Sequence, residues 1–302
     1  MRGEAAETGR QTLWADHQQS NSRAPEYVSS RRSGIGCLAR GPLPHDVGFV
    51  HTTPSTLSPP PELSLVIPCY DEAQTLPDLI RRLDETFSAE PAVEVVLVDN
   101  GSTDETPAMM QALAGRSHPF IRSVRVEVNQ GYGFGILAGL RAARGTFVGW
   151  THADLQADPA DALRALQHIR QTARRDVYAK GRRYGRPLAD VVFTIGMSIF
   201  ETTLLRTRLW DINAQPNVMP RAFFEELADE APHDWSLDLY FYHAARRRGL
   251  KILRFPVRFG ERTHGASHWN VDWAAKRKFI ERTMKFSFEL RQRAQRASAD
   301  AR

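Results

Sequence analysis

The chain reads as an α/β protein whose central sheet is mostly parallel and covered by helices on both faces. From Glu62 onward, short apolar runs alternate with amphipathic stretches, the pattern that builds successive strand and helix units with parallel strands. The runs are nearly continuously apolar, as strands buried on both faces require. The fourth of them ends in closely spaced polar side chains, which delivers chemistry to the carboxyl edge of the sheet, where open α/β folds bind ligands.

Taken in order, residues 1–60 are rich in Ser, Pro, Gly, Arg and Gln, close on Pro54-Ser55-Thr56-Leu57-Ser58-Pro59-Pro60-Pro61, and read as a disordered tail with too few apolar residues to order itself. Leu63–Pro68 is the first strand. Residues 73–88 form an amphipathic helix with Leu76, Leu79, Ile80, Leu83 and Phe87 on one side. Val93–Val98 is the second strand, followed by Asp99-Asn100-Gly101-Ser102-Thr103-Asp104, in which Thr103 or Asp104 caps the next helix. The third strand runs from Ile121 to Val128. Asn129-Gln130-Gly131-Tyr132-Gly133-Phe134-Gly135 then leads into a helix ending near Gly145, and Thr146–Trp150 carries the chain to His152. The domain reading is a tail over 1–60, a catalytic domain over 61–270 and a basic amphipathic helix over 271–302.

Composition narrows the partners. The chain has 302 residues, 42% hydrophobic and 25% charged, with only Cys37 and Cys69 as cysteines. Neither a disulfide framework nor a cysteine zinc site is available, and a reducing compartment fits. The net charge is +5, but residues 271–302 hold nine Lys/Arg against four acids and leave 31 of each elsewhere. A local basic helix suits an anionic bilayer surface and does not make a nucleic-acid groove. No run of eighteen apolar residues occurs and no signal-peptide pattern opens the chain, so the expected location is cytoplasmic, peripheral at the inner face of the membrane. Val191–Phe200 is apolar but short; it is either a core helix or a segment lying at the interface.

Two local patterns carry chemistry. The glycines of Gly131-Tyr132-Gly133-Phe134-Gly135 either let backbone amides approach a phosphate or make a tightly packed helix start. Their spacing is not G-x-G-x-x-G, and they follow the third strand and not the first. The pentapeptide His152-Ala153-Asp154-Leu155-Gln156 is a candidate cation site beside a phosphate site.

Together the segments Val66-Ile67-Pro68-Cys69-Tyr70-Asp71-Glu72, Val98–Asp104, Asn129-x-Gly131-x-Gly133 and Ala153-Asp154-Leu155-Gln156 resemble the signature blocks of inverting family 2 glycosyltransferases with the Rossmann-like GT-A fold. Lys180-Gly181-Arg182-Arg183-Tyr184, Asp211-Ile212-Asn213-Ala214-Gln215-Pro216 and Phe255-Pro256-Val257-x-Phe259-x-x-Arg262-x-x-Gly265-x-Ser267-x-Trp269 are similar to the dolichyl- and polyprenyl-phosphate sugar transferases. The resemblance implies a nucleotide-sugar donor of the GDP-mannose or UDP-glucose class, a polyprenyl-phosphate acceptor and a divalent cation, Mg²⁺ or Mn²⁺. It names no protein partner.

The resemblance also implies roles. Asp154 is the main metal ligand, with His152 and Gln156 beside it; His152 stands where the family has Asp, which favours Mn²⁺ over Mg²⁺ if the imidazole coordinates at all. Its other reading is a hydrogen bond to a neighbour. Pro68, Tyr70, Glu72, Asp99, Asn129, Gly131 and Ala153 belong to the donor pocket. Arg182, Arg183, Arg186 and Arg262 are the candidates for the acceptor phosphate, because bidentate arginine best holds two phosphate groups together. Asp238 aligns with the base of relatives that use a hydroxyl acceptor; a phosphate monoester, ionised for a second time around pH 6, needs no strong base, and Asp238 then orients an arginine. A family 2 enzyme acting on a saccharide hydroxyl and a catalytically decayed donor-binding protein are the competing readings.

Overall fold

The computed structural model describes residues 60–113, 118–262 and 273–300; residues 1–59 of the tail expected over 1–60 and the motif residues Gly265, Ser267 and Trp269 lie outside them. Seven strands form one sheet: β1 (Leu63–Cys69), β2 (Val93–Asn100), β3 (Ile121–Val126), β4 (Phe147–Trp150), β5 (Val177–Tyr184), β6 (Asn217–Pro220) and β7 (Lys251–Arg258). Their order is β3-β2-β1-β4-β6-β5-β7. β1 pairs in parallel with β2 and β4, β2 with β3, and β5 with β7, while β6 runs antiparallel to β4 and β5.

The strands read as continuous apolar runs because both faces are covered. In β1 and β2, Leu65, Ile67, Val95 and Leu97 point to one face, where they meet Leu76, Leu79, Leu83 and Phe87 of α1 (Leu76–Phe87) and Leu166 and Ile169 of α4 (Ala160–Thr172). Val66, Val96 and Val98 point to the other face, against Ile136, Leu137 and Leu140 of α3 (Tyr132–Ala142). This is the two-residue alternation of a pleated strand. Leu79 is wholly buried, so Leu79→Ala would cost about 2–5 kcal/mol. The short α2 (Thr106–Leu113) follows β2. The expected helix over 73–88 starts three residues later, since Thr75 precedes Leu76 with Pro77 within the first helical positions; the helix expected to reach Gly145 stops at Ala142, where Ala143 turns extended.

Chain order reverses at β1. The path steps outward from β1 through β2 to β3 and returns to place β4 on the opposite side of β1, which opens a crevice at the carboxyl ends of β1 and β4, the place where doubly wound sheets bind ligands. Beyond β5, α5 (Leu188–Leu205) is 18 residues long, and the apolar segment expected over 191–200 forms its middle. By length and composition it could cross a membrane, yet most of it is not buried: Leu188, Val192 and Ile199 are exposed. After α6 (Arg221–Glu225) and α7 (Leu237–Arg247), α8 (Trp273–Asp300) lies against α5. There Phe288 meets Phe200 edge-on, and Ser287 donates to the buried Glu201 at 2.7 Å.

Candidate active site

The site is built from loops that leave the carboxyl ends of the strands. After β4 the ladder continues for one bond, Thr151 N–H to the Val66 carbonyl at 3.1 Å, and then the chain turns sharply. Asp154 Oδ1 accepts the Gln156 amide at 3.1 Å, and Leu155 between them sits at φ 56°, the left-handed region that a branched aliphatic residue seldom occupies. Asp71, beyond β1, and Asp211, before β6, share that backbone state at φ 51° and 48°. Such backbone strain gathers where a loop must aim a side chain. Here Asp71 Oδ1 accepts the Thr103 amide at 2.7 Å and ties the β1 loop to the β2 loop.

A cavity of about 230 Å³ collects the results. Among the expected residues it brings together His152, Asp154, Gln156, Arg183, Arg186, Asp238 and Arg262; it adds Tyr132, Gln215 and Trp235, and from α5 Phe193, Met197 and Glu201. Asp154 is 4% exposed. Its Oδ2 accepts Arg262 Nη2 at 3.1 Å and lies 4.0 Å from His152 Nδ1. Arg183 is fixed by Asp211 through Nε at 2.9 Å and Nη2 at 2.6 Å, and Arg186 reaches the same carboxylate oxygen at 3.8 Å. Burial, and then the charge of Arg183, pull Arg186 below the ordinary guanidinium value, with Asp211 and Asp190 opposing.

The other expected residues stand outside the cavity lining. Arg182 is exposed on β5. Pro68, Tyr70 and Glu72 occupy the end of β1 and its loop. The Glu72 carboxyl is pushed up by burial, with Arg262 opposing, so it lies within the field of the Arg262 and Asp154 pair. Asp99, at the end of β2, accepts the Ser102 amide at 2.9 Å and Arg125 Nη1 at 3.0 Å. Ala153 is buried. Asn129 Oδ1 accepts the Gly131 amide at 2.8 Å, which engages that amide within the turn. Gly131 has φ 110°, and a Cβ on Gly133 would stand 2.6 Å from the Pro232 carbonyl oxygen. These glycines let α3 begin flush against the 232–234 loop, the tight-packing alternative of the two readings.

Asp238, in the first turn of α7, is 1% exposed. Oδ1 accepts Asn217 Nδ2 at 2.7 Å and Gln215 Nε2 at 2.9 Å, and Oδ2 accepts the Tyr132 hydroxyl at 3.5 Å. The cation beside it is Lys180, 3.7 Å away and fully buried, not an arginine. Lys180 Nζ donates to Asn217 Oδ1 at 2.6 Å and to the Ala214 carbonyl at 2.8 Å. Sequence reasoning had no role for Tyr132, Lys180 or Asn217. Tyr132 stands between Gly131 and Gly133, and only the fold brings it to His152.

Among the described residues no three His, Cys, Asp or Glu side chains cluster as a metal cage. Asp154 and His152 nevertheless supply one buried carboxylate and one imidazole facing each other, and the Arg262 guanidinium neutralises that carboxylate as a cation would. These donors would suit a divalent ion, to which they would offer one carboxylate and one imidazole.

Comparison with known proteins bears on the family and the fold. The profile of Glycosyl transferase family 2 matches residues 64–225. The undecaprenyl-phosphate 4-deoxy-4-formamido-L-arabinose transferase of Sodalis glossinidius is 28% identical over 221 residues, 73% of this chain and 65% of that protein. The dodecaprenyl-phosphate galacturonate synthase of Rhizobium johnstonii is 37% identical over 101 residues, 33% of this chain and 30% of that one. The chain thus spans under two thirds of the first relative and about a third of the second. Among solved structures, the mannosyltransferase PcManGT of Pyrobaculum calidifontis, in complex with GDP-Man and Mn²⁺, superposes with a TM-score of 0.51 at 22% identity, covering 72% of this chain and 62% of that one. The glucosyl-3-phosphoglycerate synthase of Mycobacterium tuberculosis, with Mn²⁺, UDP and phosphoglyceric acid, gives 0.51 at 19% identity, covering 68% and 72%. These likenesses establish the GT-A fold, and the profile match makes this chain a member of glycosyl transferase family 2.

Proposed function

We propose that the protein transfers a hexose, with inversion, from a nucleotide-sugar donor of the GDP-mannose or UDP-glucose class to a polyprenyl phosphate at the inner face of a membrane. The observation that carries this reading is the single cavity in which Asp154 and His152 meet Arg183, Arg186 and Arg262 beside the apolar Phe193 and Met197. Two phosphate-bearing reactants must be brought together against mutual repulsion, and three converging guanidinium groups provide the compensating charge. The names of the relatives from Sodalis and Rhizobium, which specify undecaprenyl and dodecaprenyl phosphate, support the acceptor class.

The acceptor phosphate is already an anionic nucleophile near neutral pH, so the site need only hold it in line with the anomeric carbon. Arg183, braced by Asp211, and Arg186 are placed for that task. Arg262, paired with Asp154, is placed to follow the donor diphosphate as negative charge grows on the leaving oxygen. A divalent ion held by Asp154 would supply Lewis-acid stabilisation of that leaving group. Asp238 is spoken for by Asn217, Gln215 and Tyr132, which suits a structural carboxylate better than a free general base. The exposed Leu188, Val192 and Ile199 on α5 offer an apolar strip for the prenyl chain or the acyl boundary, and the basic residues of α8 suit anionic headgroups.

The test is transfer of radiolabelled sugar from a panel of GDP- and UDP-hexoses to polyprenyl phosphate with Mg²⁺ or Mn²⁺, in wild type and Asp154→Ala. A metal-dependent lipid product that vanishes in the variant supports the reading. Absence of lipid product from every donor and metal, with folded protein, rejects it.

A further inference from the structure

Arg182, which stands outside the cavity lining, belongs to a second surface. β5 and β7 pair in parallel with Lys180 opposite Arg254, Arg182 opposite Pro256 and Tyr184 opposite Arg258. Alternate residues of a strand share a face, so these six stand on one side of a two-strand ribbon, while Gly181, Phe255 and Val257 stand on the other and are buried. The near end of the first side is covered, because Lys180 and Arg254 lie over the ring of Tyr242 in α7. The far end is open: Arg182, Tyr184, Pro256 and Arg258 are all exposed, and Tyr184 keeps 55% of its surface in solvent. The loop before β6 brings a second aromatic to this edge, since the Trp210 carbonyl accepts Arg254 Nη1 and Trp210 is itself exposed.

The charge of this face is uncompensated. Among the described residues, Arg182, Arg254 and Arg258 form no ion pair, whereas Arg277, Arg282 and Arg293 of α8 stand within 4.0 Å of Glu281, Asp234 and Glu230. Arginines interleaved with an exposed Tyr and an exposed Trp match a membrane–water interface, where aromatic rings sit at headgroup level and cationic side chains meet lipid phosphates. The face also runs into an apolar one: Gly185-Arg186-Pro187 joins Tyr184 to α5, on which Leu188 and Val192 are exposed. A nucleic acid would engage the arginines and leave that strip in water. A bilayer engages both.

Resting on the membrane placement in the proposed function, we propose that the open face of the β5–β7 ribbon is a docking surface for anionic lipid headgroups. Arg182 and Arg258 meet the lipid phosphates, Tyr184 and Trp210 anchor at headgroup depth, and the exposed side of α5 continues into the acyl boundary. Successive side chains of a strand point to opposite faces, so Arg182 turns to the bilayer where Arg183, its neighbour, turns to the cavity. One turn of the pleat thus sets the catalytic cavity against the surface that holds its lipid substrate.

The experiment is sedimentation of the full chain with two vesicles, phosphatidylcholine alone and equal parts of phosphatidylcholine and phosphatidylglycerol, at low and at high salt. Wild type is expected to prefer the anionic vesicles and to lose that preference at high salt, because surface attraction decays within a Debye length. This comparison is independent of any variant's folding. Arg258→Glu is expected to weaken binding to the anionic vesicles about 25-fold, two units of charge at about 5-fold each. Arg258→Lys should preserve binding, Tyr184→Ser should weaken it on both vesicles, and all three should keep the wild-type unfolding midpoint. Wild-type binding indifferent to anionic lipid, Arg258→Glu binding the anionic vesicles as wild type does, or an equal loss in Arg258→Lys overturns the inference. A loss in Arg258→Glu confined to generic DNA or RNA overturns it as well. Vesicle binding as expected with no sugar transfer from any donor removes the proposed function alone, whereas transfer in detergent by a chain indifferent to anionic vesicles removes this inference alone.

Discussion

Arg183 and Asp211 form a closed pair: the guanidinium gives Oδ1 two hydrogen bonds, at 2.9 and 2.6 Å, and the Arg183 backbone amide gives Oδ2 a third, at 2.8 Å. Asp211 is 1% exposed and sits at φ 48°, so the loop before β6 is bent to deliver one carboxylate to Arg183, with Arg186 3.8 Å from the same oxygen. Burial alone would raise this carboxyl, but the Arg183 charge and hydrogen bonds outweigh it and the net shift is downward. A depressed folded-state pKa contributes stability that is present above the ordinary carboxylate range and is lost as pH falls through the folded value.

Asp211→Ala therefore leaves the half-buried Arg183 without its counter-ion, and a loss of about 1–3 kcal/mol is expected. Chemical denaturation at pH 7 measures it. Asp211→Asn keeps the shape and should raise the KM for lipid phosphate more than it lowers kcat, since Arg183 loses its brace and not its charge.

Lys180 gives a pH signature. Burial first, only partly offset by Asp238, lowers its ammonium to about 7, well below the unfolded value of about 10.4. Between those values the unfolded chain binds the extra proton, so this residue makes stability rise with pH, by up to about 1.4 kcal/mol per unit. Lys180→Met should flatten the unfolding free energy between pH 7 and 10. An unchanged slope would show that Lys180 stays charged throughout.

Glu201 acts in the opposite sense. Burial raises its carboxyl to about 7, and Ser287 of α8 serves one oxygen while Oε2 has no hydrogen-bond partner. A raised carboxyl favours the folded state at low pH and loses that advantage as pH climbs through the folded value. Protection of α8 amides, taken relative to their intrinsic exchange rates, is expected to fall between about pH 5 and 7 in wild type, and Glu201→Gln should abolish that fall.

The exposed strip of α5 predicts membrane dependence. Replacing Leu188, Val192 and Ile199 with Ser should weaken binding to anionic vesicles and slow transfer to vesicle-embedded acceptor. Transfer to a short-chain acceptor dissolved in detergent should persist. Equal losses in both assays would assign the strip to folding and not to lipid contact.

The fold was legible because it rests on residue-by-residue patterning: apolar runs such as Val93–Val98 and the stripe Leu76, Leu79, Ile80, Leu83 reappear as β2 and α1. The resemblance likewise picked out His152, Asp154, Gln156, Arg183, Arg186, Asp238 and Arg262, which the structure gathers into one cavity. Contacts over long sequence separation were not legible. Tyr132 meets His152 across 20 residues and Asp238 across 106, and no local pattern encodes either meeting. Lys180 looked like part of a basic motif, yet its side chain is buried against Asn217, because β5 and β6 pair antiparallel with those two residues in register.

The most direct test of the central claim offers the purified chain one labelled donor and three acceptors in parallel: polyprenyl phosphate, the corresponding polyprenol and a free saccharide. The arginine-lined site predicts transfer to polyprenyl phosphate alone, reduced about 100- to 1,000-fold in Arg262→Ala and surviving in part in Asp238→Asn. Transfer to the polyprenol or the saccharide, abolished by Asp238→Asn, would contradict the account and make Asp238 the base of a hydroxyl-directed enzyme.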